Sequence, residues 1–121
     1  MKIAVTAKGK TLDDAVDPRF GRCAFFVVVD TETMDTEALD NAAAGLGGGA
    51  GIQSAQLMAD RDVEVVLTGN CGPNAHRTLQ AADIQVVVGV SGSVGEAVEA
   101  YRSGELSAAE SPNVQSHFGV R

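Results

Sequence analysis

The sequence predicts an α/β fold in which helices pack on a mixed β-sheet. Three observations predict it. The first half of the chain contains short apolar runs with a hairpin-like reversal, whereas the second half alternates helical patterns with nearly continuous apolar runs. Hairpins join antiparallel strands, and continuous apolar runs are typical of parallel strands that helices cover on both faces. Glycine-rich loops separate these elements.

Three strands are predicted in the first half. Residues 3–7 and 25–29 are apolar runs with the length of buried strands. A turn around 31–33 leads into a third strand, 34–39, so that the second and third strands form a hairpin. The stretch 30–40 is acidic and contains no Lys or Arg, which is typical of an exposed edge strand that charge protects from aggregation.

Two strands and two of the three helices of the second half follow from apolar spacing. The apolar runs 63–67 and 85–88 are the strands. Residues spaced i, i+3, i+4, i+7 share one face of a helix. These faces are Ile52, Ala55, Met58 and Ala59 on the first helix, and Ala75, Thr78, Leu79 and Ala82 on the second.

The third helix carries signals at both ends. Ser93 and Glu96 have the spacing of a capping box, and Gly104 marks the end of the helix. Its apolar stripe consists of Val94, Ala97, Val98 and Tyr101. We expect one domain over 1–106 and a loosely held tail over 107–121.

Size and charge exclude several classes of protein. The chain has 121 residues, 45% of them hydrophobic, which suits one globular domain. It contains no apolar run near the roughly 20 residues of a membrane span and begins with a strand rather than a signal peptide, so we expect a cytoplasmic protein. The net charge of -7, without a basic stripe, argues against nucleic-acid binding. Without an extra apolar helix face, we expect a monomer or a weak homodimer.

The predicted topology brings four loops to one edge of the sheet. If the second strand is antiparallel to the first, the loops 8–22, 45–51, 70–73 and 89–93 all lie at that edge, where open α/β sheets bind ligands. Glycines let backbone N–H groups approach a ligand, and arginines supply positive charge. We therefore expect an anionic ligand. The candidate cofactor-binding residues are Arg19, Phe20, Gly21, Arg22, Gly47, Gly48, Gly49, Asn70, Cys71, Gly72, Ser91 and Gly92.

Several of these residues have a second interpretation. Arg19 and Arg22 can instead hold their own loop through one of three nearby aspartates, Asp13, Asp14 or Asp17. Phe20 can anchor the loop to the core rather than line the ligand. Cys71, beside a helix N-terminus, is either a favoured thiolate or a small buried thiol.

The candidate metal ligands are Cys71, Cys23 and His117. The position of Cys23 at the head of an apolar strand favours a core thiol. His117, in the tail, is either idle or able to reach the site as a soft-metal ligand. His76 is expected at the surface or in packing.

Three segments together resemble the dinitrogenase iron–molybdenum cofactor accessory family: 17–23 (DPRFGRC), 68–75 (TGNCGPNA) and 92–98 (GSVGEAV), combined with the glycine loop. The resemblance implies a ribonuclease-H-like α/β/α fold with a five-stranded sheet, strand order 3-2-1-4-5. It also implies non-covalent binding of a metal–sulfur cluster, either a molybdenum–copper sulfide cluster or an iron–molybdenum cluster. Thiolate ligation is not implied, since relatives vary at both cysteine positions.

The main functional hypothesis is therefore a non-catalytic carrier of a molybdenum-containing cluster, working with proteins that donate or accept the cluster. The alternative is a cofactor-free partner-binding module in cluster assembly or a larger complex. An enzyme is not expected. A two-metal nuclease needs carboxylates on its central strands, and 3–7 has none; a thiol enzyme built on Cys71 has only His76 nearby in sequence as a base.

Overall fold

The computed structural model describes residues 1–42 and 49–106, and within these ranges eight elements follow one another. They are β1 (Lys2–Ala7), β2 (Phe25–Asp30), β3 (Thr36–Asp40), α1 (Ala50–Asp60), β4 (Val65–Leu67), α2 (Pro73–Ala81), β5 (Gln85–Val87) and α3 (Val94–Arg102). The tail predicted over 107–121 lies outside the described residues.

The five strands form one mixed sheet in the order β3-β2-β1-β4-β5. β1 lies in the centre, where Ile3 pairs with Val29 of β2 in an antiparallel register and with Val65 of β4 in a parallel one. β2 and β3 form the antiparallel hairpin, and β4 and β5 are parallel. The predicted fold class, strand order and antiparallel second strand are confirmed.

Helices cover both faces of the sheet because successive strand residues point to opposite sides. Ala4 of β1 belongs to a core formed with Met58 of α1 and Leu79 of α2. The next residue, Val5, belongs to a second core with Val94 of α3. The molecule therefore has three layers, with α1 and α2 on one face and α3 on the other.

The third strand starts later than predicted. Met34 adopts φ 62°, in the left-handed region, and its N–H donates to the carbonyl oxygen of Asp30 at 2.7 Å. A residue in that conformation belongs to a turn, so β3 begins only at Thr36.

The buried face predicted for α1 is partly wrong. Ala55 and Met58 are buried as expected, but Ile52 is 37% exposed and Ala59 is exposed. The helix begins at Ala50, inside the predicted glycine loop, and its next residue, Gly51, lies against α2. This close approach requires small residues at the contact, which turns Ile52 outward.

The other two helices follow the sequence pattern closely. On α2, Ala75 and Leu79 are buried, whereas Ala82 is the exposed C-cap. On α3, both hydrogen bonds of the capping box between Ser93 and Glu96 are present. Within 1–42 and 49–106, none of the helices has the length and apolar character needed to cross a membrane.

Candidate functional site

The loop that follows β1 and the loop that follows β4 are joined by hydrogen bonds. Arg19 and Asn70 form an isolated parallel bridge. The N–H of Phe20 donates to the carbonyl oxygen of Asn70 at 3.1 Å, and the Asn70 side-chain amide donates to the carbonyl oxygen of Pro18 at 3.1 Å. The predicted convergence of these two loops is therefore observed.

The loop after β5 lies at the same edge. The N–H of Gly89 donates to the carbonyl oxygen of Gly69 at 2.9 Å. The N–H of Val16 donates to the carbonyl oxygen of Gly92 at 2.9 Å. The loops that follow β1, β4 and β5 thus form one continuous edge.

The fourth loop reaches this edge through the first turn of α1. A Cβ atom on Gly21 would lie 2.9 Å from the Cα atom of Gly51, and one on Gly51 would lie 3.1 Å from the Cβ atom of Ala75. The start of α1 is therefore packed between α2 and the loop of residues 8–24, which carries Arg19 and Arg22 and is named the arginine loop below. Of the predicted residues in this loop, Gly49 caps α1, whereas Gly47 and Gly48 lie outside the described residues, as does His117.

Arg19 is held by a buried carboxylate. Its Nε and Nη2 atoms each lie 3.2 Å from an oxygen of Asp17, and its backbone N–H donates to Asp17 Oδ1 at 3.0 Å. The Asp17 side chain is 3% exposed, but that of Arg19 is 61% exposed. The hydrogen bonds and charge of Asp17 raise the pKa of Arg19, which keeps the guanidinium charged.

Both interpretations of Arg19 are compatible with this geometry. Two guanidinium nitrogens bind Asp17, while the third, Nη1, has no hydrogen-bond partner among residues 1–42 and 49–106. Asp17 thus orients Arg19 without occupying all its donors. The sequence offered Asp17 only as one of several nearby aspartates that could pair with Arg19, and did not single it out as the orienting carboxylate.

Arg22 lies on the same turn. Its N–H donates to the carbonyl oxygen of Arg19 at 3.3 Å, and its side chain is exposed. Gly21 between them has φ +96°, a conformation that favours glycine. The turn therefore places two guanidinium-bearing residues at the loop edge.

Two helices begin at this edge without side-chain caps. α1 starts after Gly49 and α2 after Gly72, and neither first turn contains an acidic residue. A Cβ atom on either glycine would meet no heavy atom of the described chain within 4 Å. Because the N-terminus of a helix carries a partial positive charge and orients N–H groups outward, both helix starts favour an anion.

The start of α3 differs in charge. The Glu96 carboxylate accepts from the backbone N–H of Ser93 at 2.9 Å and lies 3.1 Å from the position of a Cβ on Gly92. These hydrogen bonds to Ser93 lower the pKa of Glu96, which keeps the carboxylate ionised. The helix end is therefore satisfied by its own residues and presents negative charge.

A cleft of about 670 Å³ lies on this acidic side. Its lining includes Ser91 and Gly92 together with Glu96, Glu99 and Glu105. Three carboxylates disfavour an anion. Ser91 and Gly92 therefore lie at the predicted edge, but on the side that is electrostatically less suited to the predicted ligand.

Both cysteines are buried, neutral thiols. Burial raises the pKa of Cys71 to about 12, and burial together with the charge of Asp17 raises the pKa of Cys23 to about 12. The favoured thiolate at Cys71 is thus wrong for this fold, because the loss of hydration outweighs the effect of the helix N-terminus. Among the described residues, no three His, Cys, Asp or Glu side chains form a group that could hold a metal ion.

The two thiols predict a loss of stability at alkaline pH. Cys23 and Cys71 have folded-state pKa values of about 12 against an ordinary value of 9.0. The unfolded chain therefore loses these protons at a lower pH than the folded chain does. The stabilisation of the folded state by each protonated thiol is fully present below pH 9 and declines as pH rises toward 12. At about pH 10, one unit above the unfolded value, each thiol should lower the free energy of unfolding by roughly 1.4 kcal/mol. Urea unfolding between about pH 8 and 10.5 measures the decline. The double variant Cys23→Ala/Cys71→Ala should lack the part of this decline that the two thiols cause. An unchanged decline in that variant would contradict its attribution to the thiols.

Phe20 anchors the arginine loop to the core. It is 8% exposed, and its ring centroid lies 5.7 Å from that of Phe26 at an interplanar angle of 57°. Such a tilted pair is a favourable aromatic arrangement. Of the two interpretations of Phe20, the anchor is the one that the structure supports.

Asn41 is a structural residue of the site that the sequence did not reveal. Its buried side-chain amide donates to the carbonyl oxygens of Gly21 and Cys23, each at 2.9 Å. The Ser54 hydroxyl of α1 donates to the side-chain oxygen Oδ1 of Asn41 at 3.2 Å. Asn41 thereby ties the arginine loop to α1. The only sequence signal is a polar residue placed between a strand and an alanine–glycine run.

Comparison with known proteins identifies solved relatives along nearly the whole chain. The apo form of the orange protein from Desulfovibrio gigas is 49% identical, covers 93% of this chain and 95% of its own, and superposes with a TM-score of 0.90. A putative NifB protein from Thermotoga is 34% identical with a TM-score of 0.78, covering 88% and 91%.

A further relative, protein MJ0580 of Methanocaldococcus jannaschii, is 30% identical over 109 residues, or 88% of this chain and 89% of its own. The family model described as dinitrogenase iron-molybdenum cofactor matches residues 1–104. The chain therefore belongs to the dinitrogenase iron–molybdenum cofactor family.

Proposed function

We propose that the chain is a non-catalytic carrier that binds an anionic, molybdenum-containing metal–sulfur cluster without covalent ligation. The cluster is of the molybdenum–copper sulfide or the iron–molybdenum type. The binding surface consists of Arg19, Arg22, Gly49 and Gly72, and is named the arginine–glycine surface below. Gly21 and Asn70 support this surface by shaping and holding its loops rather than by direct contact.

The observation that carries the proposal is the Asp17–Arg19 pair beside two uncapped helix starts. The buried carboxylate of Asp17 fixes the guanidinium of Arg19, and the Nη1 group of Arg19 is left to donate to a ligand. Because Gly49 and Gly72 have no side chain, a bulky anion has room to approach the N–H groups at the starts of α1 and α2. Fixed donors and partial positive charges of this kind suit an anion in an acidic protein.

The donor chemistry also supports non-covalent binding. Cys23 and Cys71 are 0% exposed and protonated, so neither is available as a thiolate at this surface. A cluster that carries its own sulfide ligands needs hydrogen-bond donors and positive charge rather than protein thiolates. When bound, the cluster supplies the metal chemistry, while the chain binds and orients it. Membership of the iron–molybdenum cofactor family supports this class of ligand.

Removal of both arginines should abolish most of the affinity. Arg19→Ala/Arg22→Ala is expected to weaken cluster binding about tenfold or more, since hydrogen bonds to charged groups contribute roughly 1.5–3 kcal/mol. The measurement is anaerobic reconstitution with tetrathiomolybdate and copper salts, followed by desalting, metal analysis and a visible spectrum. Wild-type protein should retain molybdenum and copper in a fixed ratio. An iron–molybdenum cluster is the second ligand to test.

A matched control removes the same charge elsewhere. Arg61 pairs with Glu37 at 3.2 Å and Arg102 with Glu99 at 2.9 Å, and all four side chains are exposed. The double variant Arg61→Ala/Arg102→Ala should retain wild-type affinity. Equal losses of cluster affinity in both double variants would show that net charge alone causes the effect. That result would contradict binding at the arginine–glycine surface. A wild-type protein that retains neither cluster would overturn the carrier function and favour the cofactor-free partner module.

A further inference from the structure

The turn between β2 and β3 places a methionine where the backbone favours glycine. Met34 has φ 62°, in the left-handed region, and is 38% exposed. A bulky side chain rarely adopts this conformation, and it persists only where the surrounding structure compensates for the strain. The strained backbone thus points to a role for the Met34 side chain.

The sulfur of Met34 lies against the last residue of α3. Arg102 Nη1 donates to Met34 Sδ at 3.5 Å and to Glu99 Oε1 at 2.9 Å. The contact joins two residues that are 68 positions apart in sequence. Because a thioether sulfur is only a weak acceptor, a stronger acceptor on the same sulfur would make better use of this charged donor.

We propose that Met34 is a site of reversible oxidation to methionine sulfoxide by hydrogen peroxide, and that Arg102 binds the sulfoxide oxygen. This inference does not rest on the proposed cluster function. Oxidation converts the apolar thioether into a polar group whose oxygen accepts hydrogen bonds. Hydrogen peroxide is small and neutral, so the carboxylates beside Met34, such as that of Asp35, do not repel it.

The oxidation transfers one oxygen atom from peroxide to sulfur. A lone pair of Met34 Sδ attacks one peroxide oxygen, the S–O bond forms as the O–O bond breaks, and the sulfur loses two electrons. The departing hydroxide takes the proton from the transferred oxygen and leaves as water. In the reverse direction, two thiols of a methionine sulfoxide reductase system become a disulfide while the sulfoxide oxygen leaves as water.

The other sulfur atoms of the chain provide internal controls. Met1 is 46% exposed, whereas Met58 is 0% exposed. Cys23 and Cys71 are buried and protonated, and peroxide oxidises the thiolate rather than the thiol. Peroxide should therefore convert Met34 and Met1, and should leave Met58 and both cysteines reduced.

The first test follows each methionine in protein labelled with ¹³C at the methionine methyl groups. The chain has three methionines, and Met34→Leu identifies the signal of Met34. Hydrogen peroxide should shift this signal at least about ten times faster than that of Met58. Methionine sulfoxide reductase with a thiol reductant should then restore it. A Met34 signal that persists after the Met1 signal has shifted, or that the reductase does not restore, would overturn the proposal.

The second test measures the role of Arg102 by urea unfolding before and after oxidation. The folding equilibrium constant of the oxidised chain relative to the reduced chain should be about two- to fivefold higher in wild-type protein than in Arg102→Ala, as for an exposed charged contact. In the matched control Met34→Leu, peroxide reacts at Met1 alone. Arg102→Ala should therefore not change the effect of peroxide on that variant. Equal effects of oxidation in wild-type protein and Arg102→Ala would overturn the binding of the sulfoxide by Arg102.

Discussion

Gly21→Ala should lower the free energy of unfolding by about 3 kcal/mol or more. Gly21 has φ +96°, which strains any other residue by roughly 1–3 kcal/mol. The new methyl group would also lie 2.9 Å from the Cα atom of Gly51 and 3.1 Å from its backbone nitrogen. Backbone atoms cannot rotate away, so the arginine loop and α1 must separate, at a further cost of about 1–3 kcal/mol. Urea unfolding followed by circular dichroism measures the change.

The control for this variant is Gly72→Ala. Gly72 has φ -74°, and a methyl group there meets nothing within 4 Å. It should therefore change the free energy of unfolding by less than about 0.5 kcal/mol. Similar stabilities for Gly21→Ala and Gly72→Ala would show that the approach of Gly21 to α1 is looser than described.

Asn41→Leu should cost about 3–5 kcal/mol of folding free energy. The substitution conserves size but removes the amide that two backbone carbonyl oxygens share, and it removes the acceptor of the Ser54 hydroxyl. Each buried polar group left unpaired costs about 1–3 kcal/mol. Thermal or urea unfolding measures the total loss of unfolding free energy. Amide hydrogen exchange should show the largest loss of protection in the arginine loop and at the start of α1.

Ser54→Ala is the corresponding control. It removes one hydrogen bond at 3.2 Å and leaves both bonds to the loop carbonyls in place, so a loss near 1 kcal/mol is expected. If Asn41→Leu costs no more than Ser54→Ala, Asn41 does not tie the loop to α1.

The fold was largely predictable because its strongest signals are local. In α3, the capping box and the apolar stripe lie within a few residues of one another, and both are confirmed. The buried face of α1 was not predictable in the same way. It depends on the contact between Gly51 and Ala75, which are far apart in sequence, and this contact turns Ile52 outward against its hydrophobicity.

The meeting of the loops that form the candidate site was predictable, but the state of their side chains was not. Strand order alone brings the loops of Arg19 and Asn70 together. The state of Cys71, however, depends on the balance between a favourable helix end and complete burial, and the amount of burial is a property of the tertiary structure. The partner of Arg19 was one of three nearby aspartates, and only Asp17 is both buried and correctly oriented.

The central position of β1 has a consequence for how the chain folds during synthesis. Strand β1 pairs with β4, whose residues are synthesised about 60 positions later than those of β1. Contacts between such distant residues form slowly, because a long loop must close before they stabilise anything. The turn that carries Arg19 and Arg22 likewise requires Asn70, whose carbonyl oxygen accepts from the N–H of Phe20. A nascent chain that has not yet reached β4 therefore exposes one side of β1 and lacks the bridge between Arg19 and Asn70, so the centre of the sheet and the proposed arginine–glycine surface form in a single late step.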